Sequence, residues 1–480
     1  MSIDGYIRRM RYWRQDKKNG NRVRKHYDEL EVVLKDSAIG RKIQQQRLNE
    51  LLSHATKYSV FFKPYAGKNI KEFPVTNKQI YIRNHDLVAV NIKNIPEQET
   101  EKLYIDKTSG STGTPFEVFH DSRKRHRRVA ELKYYGESVG FKSHEKLGQC
   151  KIWGKAYIKP PEWLKKENMI PIQAEKVDDE SLMQVCELIK KEKIVSLRAY
   201  AGWYERLVSF LEENTAYCCY FKSVKVAISI SEALSNVARQ KMKELTGVPI
   251  VECYADMEAG LLAHQRVNDN NYYLNHASYY FEILKLDSDE PAEYGELGRI
   301  VLTDLYNYAF PLIRYDTGDT AVLEKGNEKS GGWDYISKLY GRRIDLIYDT
   351  SGRPVHPMVF VSELKYFPGI VQWQFIQKDE KEYCIKLNVN KEVDCAAVTD
   401  TMKKIVGTDA VISFEKVNDI VCVMAFIYDI NFKQTYEIIK KQDYINKTLD
   451  RYNFEDKETK EKMEEMRAIA NEYINEKLKN

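Results

Sequence analysis

The segment TSGSTGTPFEV, Thr108 to Val118, interleaves hydroxyls with glycines. Thr108, Ser109, Ser111, Thr112 and Thr114 offer oxygens, while Gly110 and Gly113 let backbone N–H groups turn inward, an arrangement that can surround phosphate oxygens. The same composition also serves plain linkers, and no Gly-Lys-Ser/Thr follows, so it is not a Walker loop. Three further stretches carry charge at defined places. Tyr254-Ala255-Asp256-Met257-Glu258 follows an apolar run, and a carboxylate at a strand's end suits Mg2+, which wants oxygen ligands. The plainer alternative has Glu258 capping a following helix, AGLLAHQ. In PLIRYDTGDTAVL, Asp319 after Gly318 could accept both hydroxyls of a ribose, although Asp316 and Asp319 also suit an ordinary turn. In YGRRIDLIYDTSGRPVHP, Arg342 could reach ribose or phosphate and Asp345 could tie a domain junction; the alternative is a salt-bridged linker.

The surrounding pattern supplies elements to hold these residues. Arg41 to Tyr58 reads as an amphipathic helix. A short strand, Leu103 to Ile105, leads into the Gly/Ser/Thr loop, and a helix from Asp121 to Val139 leaves it. IVSLRAY, VKVAISI and VPIVECYA read as strands separated by helices, the second helix starting near Ser231 and stopping at Gly247. That alternation argues for a mostly parallel sheet covered on both faces. From Ala277 the strands SYYFEIL, ELGRIVLTDL and GDTAVLE look antiparallel or mixed. The expected division is 1–340, a small α+β domain at 341–445, and a charged helix at 446–480.

Composition bounds the classes. The chain has 480 residues, 43% hydrophobic and 30% charged, as a globular α/β protein does. A net charge of +4 argues against nucleic acid as a partner. The longest apolar run, Ile420 to Tyr428, is too short to cross a bilayer, and the N-terminus reads without an apolar signal core, so a cytoplasmic location is expected. The basic, aromatic first forty residues read as a solvated helix face, with attraction to an anionic surface as the alternative. No CxxC pair occurs, which disfavours structural zinc.

Taken in order, these motifs resemble the adenylate-forming (acyl-CoA synthetase) superfamily, nearest its phenylacetate-CoA ligase branch and the CapK-type proteins linked with capsular polysaccharide synthesis. TSGSTGTPF, AISISEAL, YADME, ELGRIVLTDLYNYAFPLIRYDTGD and GRRIDLI carry the resemblance. It implies a large N-terminal domain of mixed sheets and helices with a small mobile C-terminal α+β domain. It also implies ATP-dependent activation of a small carboxylic acid as an acyl-adenylate, then transfer to coenzyme A. Transfer to an amine, and an impaired nucleotide-binding partner in polysaccharide assembly, are the other functions it admits. A homodimer and polysaccharide-biosynthesis enzymes are the partners it leaves open.

By position, Thr108 to Thr114 resemble the phosphate loop, with Thr112 among the catalytic candidates. Ser231 and Glu232 resemble the pair lining the adenine pocket, Tyr254 the tyrosine beside adenine, and Ala255, Asp256 and Met257 its continuation. Glu258 resembles the magnesium ligand, Asp319 the ribose-binding aspartate and Arg342 the hinge arginine. The family's Gly-Lys loop is expected after FEKVNDI, but no Gly-Lys stands there; Lys433 is the nearest downstream lysine. Losing one charge-stabilising donor implies adenylation slower by about a hundredfold. His264 and His276 lie where relatives carry a cysteine-rich metal site, without cysteines, so no zinc is expected. Trp153, Tyr200, Trp203 and Met257 could line an acyl pocket or simply pack.

Overall fold

A computed structural model describes residues 3–107, 116–153, 159–174, 177–342, 347–355, 360, 363–364 and 367–417. Residues 108–115, 343–346 and 418–480 are outside that set, and with them fall the Gly/Ser/Thr loop, Asp345, Lys433 and the expected C-terminal helix.

An eleven-stranded sheet organises the chain. One half is parallel: Met169–Gln173, Leu147–Lys151, Ser196–Tyr200, Val226–Ile230 and Ile250–Ala255 lie side by side in that order. Their strands are dense in Val, Ile, Leu and Ala because both faces are covered. Helices Asp179–Glu192, Ala201–Glu213 and Asn236–Thr246 bury Leu182, Ile189, Leu207, Leu211 and Met242 on one face. The end of helix Ser122–Ser138 leads into Val139 and Phe141, which cover Val226, Ile228 and Val251 on the other. The expected parallel sheet with covered faces therefore describes this half.

Ile250–Ala255 is where direction changes. It runs parallel to Val226–Ile230 on one side and antiparallel to Leu261–Arg266 on the other. Beyond it the order continues through Asp269–Leu274, Tyr335–Arg342, Tyr315–Glu324, Leu297–Asp304 and Tyr279–Leu284, all antiparallel.

Two expectations need correction. AGLLAHQ is not a helix but the strand Leu261–Arg266, so Glu258 caps no helix. The Asp256 carboxylate accepts the N–H groups of Ala259 (2.6 Å) and Gly260 (3.0 Å), and Gly260 takes φ +113°, which closes a turn and returns the chain alongside the previous strand. The helix expected near Ser231 begins later, at Asn236, capped by the Ser235 hydroxyl accepting from Ala238 N at 3.1 Å. Ser231 itself sits at φ +71°, incompatible with a helix start.

The small C-terminal unit pairs Ile370–Gln377 with Glu382–Val389 antiparallel, then crosses through helix Cys395–Val406 to Val411–Lys416, parallel to Glu382–Val389. Phe360, Leu364, Ile385, Leu387, Val398 and Met402 fill its core. Its entry, DTSGRP, is a tight turn between Ile347–Tyr348 and Pro354–Val355.

The basic N-terminus docks rather than floats. In helix Ile3–Lys18, Arg9 binds the Glu137 carboxylate and Trp13 meets Tyr27 edge-on at 5.7 Å, while Arg11 and Arg14 remain exposed.

Candidate functional site

The C-terminal ends of parallel strands, at a point where strand order or direction changes, are where open α/β sheets bind ligands. Tyr254 closes the last parallel strand, and its hydroxyl donates to Asp319 Oδ2 at 2.8 Å. Three strands separate the two in the sheet, a distance of about 19 Å if the sheet were flat. The antiparallel half is therefore rolled, which carries strand Tyr315–Glu324 back over the end of strand Ile250–Ala255.

In strand Tyr315–Glu324, bulged around Gly318 at φ +81°, Tyr315, Thr317 and Asp319 converge on Tyr254 and Glu258. Tyr315 OH lies 3.4 Å from Glu258 Oε1, and Thr317 Oγ1 lies 3.5 Å from Tyr254 OH. On the opposite side Asp316 takes Arg299 Nη1 at 2.9 Å, and its other oxygen accepts Gly318 N at 2.8 Å. Asp316 and Asp319 thus sit in a bulged strand and do separate work. Asp319 stands opposite Arg342 across the ladder, which places the backbone of the hinge arginine beside the site; its side chain is outside the described residues.

Three carboxylates converge here. Burial, and then the negative charge of Glu258, push the Asp256 carboxyl well above the usual range, with Asp319 adding to it. Burial and Asp319 push the Tyr254 phenol up as well. Asp256 Oδ2 is buried with no hydrogen-bond donor among the described residues. Among the described residues no three such side chains come together as a metal-binding group, but the orphaned Asp256 oxygen and the buried Glu258 are oxygen donors of the kind a hard cation takes.

Other expected residues are placed less tightly. Ser231 and Glu232 occupy the loop after the neighbouring strand Val226–Ile230; the Glu232 carboxylate accepts Gly202 N at 3.2 Å and is pushed up by burial. Ala255 and Met257 are exposed. Trp203 is buried among Leu207, Leu211 and their neighbours, so it packs in the core, and Trp153 Nε1 donates to the Ile172 carbonyl at 3.1 Å. His264 and His276 are taken up by packing, stacked on Tyr135 and Trp333.

Sequence reasoning missed a buried polar cluster behind the Glu258 loop. Lys124 Nζ pairs with Asp304 Oδ2 at 2.6 Å, both fully buried. Arg127, also fully buried, donates to Ser278 Oγ at 2.8 Å and to the Ala277 carbonyl at 2.7 Å. Arg128 binds the Asp106 carboxylate and lies against Gly260, where a Cβ would meet its Nε at 3.2 Å. The one available signal was spacing: Lys124, Arg127 and Glu131 share a helical face with Ala130 inside a run that otherwise looks solvated.

Residues 347–424 match the family model of the CapK C-terminal domain. Protein CapK of Staphylococcus aureus is 23% identical over 420 residues, covering 83% of this chain and 90% of that protein. 2-Hydroxyisobutyryl-CoA ligase, solved in its postadenylation state with 2-HIB-AMP, superposes with a TM-score of 0.62 at 14% identity, over 80% of this chain and 88% of that one. An open conformation of that ligase with 2-HIB-AMP and CoA gives 0.56, over 81% and 90%, again at 14% identity. Over most of its length the chain is similar to CapK, and it has the fold of 2-hydroxyisobutyryl-CoA ligase.

Proposed function

We propose that this chain activates a small carboxylic acid with ATP and passes the acyl group to coenzyme A. The observation that carries this reading is the Tyr254–Asp319 hydrogen bond at the end of a parallel strand, beside Glu258. An ionised carboxylate has about four lone-pair sites, so Asp319 has acceptor capacity for both ribose hydroxyls while holding the Tyr254 hydroxyl. The Tyr254 ring, fixed by that bond, offers a face for adenine. Glu258, with Asp256 behind it, would hold Mg2+. When bound, that ion supplies neutralisation of phosphate charge.

In the reaction, an oxygen of the acid attacks the α-phosphorus of ATP and the bond to pyrophosphate breaks, leaving an acyl-adenylate. The thiol of coenzyme A then attacks the acyl carbon and AMP departs. The protein's part is placement and charge stabilisation. The phosphate-loop role of Thr108 to Thr114, the hinge role of Arg342 and the charge-stabilising role of Lys433 belong to this reading too, as does a boundary near residue 341 about which the small domain turns. The structural likeness to CoA ligases and the CapK match support it. ATP–pyrophosphate exchange against a panel of small carboxylic acids tests it: label entering ATP with an acid present is expected, and no exchange with any acid by a protein that binds ATP would overturn it.

A further inference from the structure

Arg198 lies in strand Ser196–Tyr200, in the middle of the parallel half, and is half-buried. Among the described residues no carboxylate pairs with it; the ionisable groups that bear on it are Cys253 and Tyr204. Neither offers a charge. Burial pushes the Cys253 thiol up to about 12 and the Tyr204 phenol well above its usual value. His264, on the far side of Cys253, is pushed down to about 4 by burial and is neutral. A guanidinium carries five donors and does not lose its proton, and the half-buried Arg198 keeps nitrogens open to an acceptor from outside the sheet.

The ladder gives its position relative to the proposed site. Arg198 is level with Ile228, which is level with Val251, so it shares a face with Cys253 and Ala255, next to Tyr254. The strand of Tyr254 is two strands away, about 10 Å. An anion held by Arg198 is thus too far off to be the carboxylate that meets the nucleotide beside Glu258. It is near enough to be the other end of the same short molecule. Ile230, Cys253 and Ala255 share that face between the two.

We propose that Arg198 receives a second carboxylate on the acid this chain activates, so that the substrate is a short dicarboxylic acid. This rests on the carboxylate-activating reading. The guanidinium fork matches a carboxylate with two parallel hydrogen bonds, and a plain fatty or aromatic acid would leave it unpaired.

The test uses the full chain, with succinate, glutarate, adipate and pimelate as probes and monocarboxylates of equal length as controls. One diacid is expected to support pyrophosphate exchange with kcat/KM at least about tenfold above its monoacid, the discrimination that charged hydrogen bonds give. Arg198→Met should erase that ratio, and Arg198→Lys should keep part of it. Both variants should bind AMP as the parent does and melt no lower, because an unpaired cation contributes nothing to the fold. Equal use of monoacids by the parent, a ratio that survives Arg198→Met, or a clear fall in melting temperature in Arg198→Met would each overturn the proposal. Melting with AMP present separates the two readings. Protection by a diacid that needs Arg198, without exchange, keeps the anion site and removes carboxylate activation; absence of both removes both.

Discussion

The hydroxyl of Tyr279 receives Lys124 Nζ at 3.1 Å and itself donates to the carbonyl of Ala259 at 2.8 Å. The residue next to Glu258 is thereby tied to a buried ion pair that touches no surface. Helix Ser122–Ser138, which follows strand Glu117–His120, and the Glu258 loop are held by one phenol. Tyr279→Phe removes that tie and leaves a buried carbonyl and ammonium each short of a partner. A loss of about 1–3 kcal/mol of stability is expected in urea unfolding.

Lys124→Met should be worse. It strands Asp304, whose carboxyl burial already pushes above the usual range against the pull of Lys124. A loss of about 3–5 kcal/mol is expected. The pH dependence has a definite sign. A carboxyl whose folded pKa is raised favours the folded state at low pH, and that advantage is lost as pH rises through the folded value. The melting deficit of Lys124→Met relative to the parent should therefore shrink on acidification. A deficit that grows on acidification would contradict this.

Asp319→Ala should weaken ATP binding by about ten- to a hundredfold, because charged hydrogen bonds to the ribose go. Tyr254→Phe keeps the ring and loses only its hold on Asp319. Since the two residues share one hydrogen bond, the double variant should lose less than the sum, and calorimetry on the four proteins measures that coupling. Additive losses would show that the bond does not orient Asp319.

Glu258→Gln should lower pyrophosphate exchange by about a hundredfold or more, as loss of a charge-organising group at the phosphates would. Its stability should move the other way. Asp256 is raised by burial first and by Glu258 second, so the parent loses stability as pH rises through the Asp256 titration. With Glu258 neutral, that titration moves down and the loss is smaller. The variant should melt no lower than the parent at pH 8, a result that a structural role for Glu258 would not give.

In the small C-terminal unit, Asp349 gathers Ser351 N (2.9 Å), Ser351 Oγ (2.6 Å), Arg353 N (2.9 Å) and Arg353 Nε (2.9 Å). Though burial opposes it, these bonds hold its carboxyl down at about 2. Its contribution is present above the usual carboxylate range and disappears as pH falls from about 4 to about 2. Asp349→Ala should cost about 1 kcal/mol at neutral pH and clearly less at pH 2. Acid titration of circular dichroism compares the two.

Much of the site was legible because its residues sit at strand ends with turn chemistry around them. Tyr254, Glu258 and Asp319 were singled out by turn and strand-end pattern together with the family resemblance, and the structure brings the three together; the short strands SYYFEIL, ELGRIVLTDL and GDTAVLE, expected antiparallel or mixed, are antiparallel. AGLLAHQ was misread because a short apolar run does not distinguish helix from buried strand; what decides it is Asp256 gripping two N–H groups and Gly260 at positive φ, neither visible as periodicity. The start of the helix after Val226–Ile230 was misplaced because serines at 231 and 235 both look like caps, and only backbone strain at Ser231 separates them. Lys124 and Arg127 were missed for a different reason. A charged run is normally solvated, and only partners far along the chain, Asp304 and Ser278, make burial tolerable.

Strand Tyr335–Arg342 pairs with Asp269–Leu274 on one side and with Tyr315–Glu324 on the other. It is a late segment inserted between two earlier ones. During synthesis, Asp269–Leu274 and Tyr315–Glu324 leave the ribosome with neighbouring edges unpaired, and they stay so until residue 342 has emerged. Open strand edges recruit other strands. Nascent chains stalled before residue 335 should therefore bind chaperones and aggregate, whereas those stalled after the strand is free of the exit tunnel should resist protease.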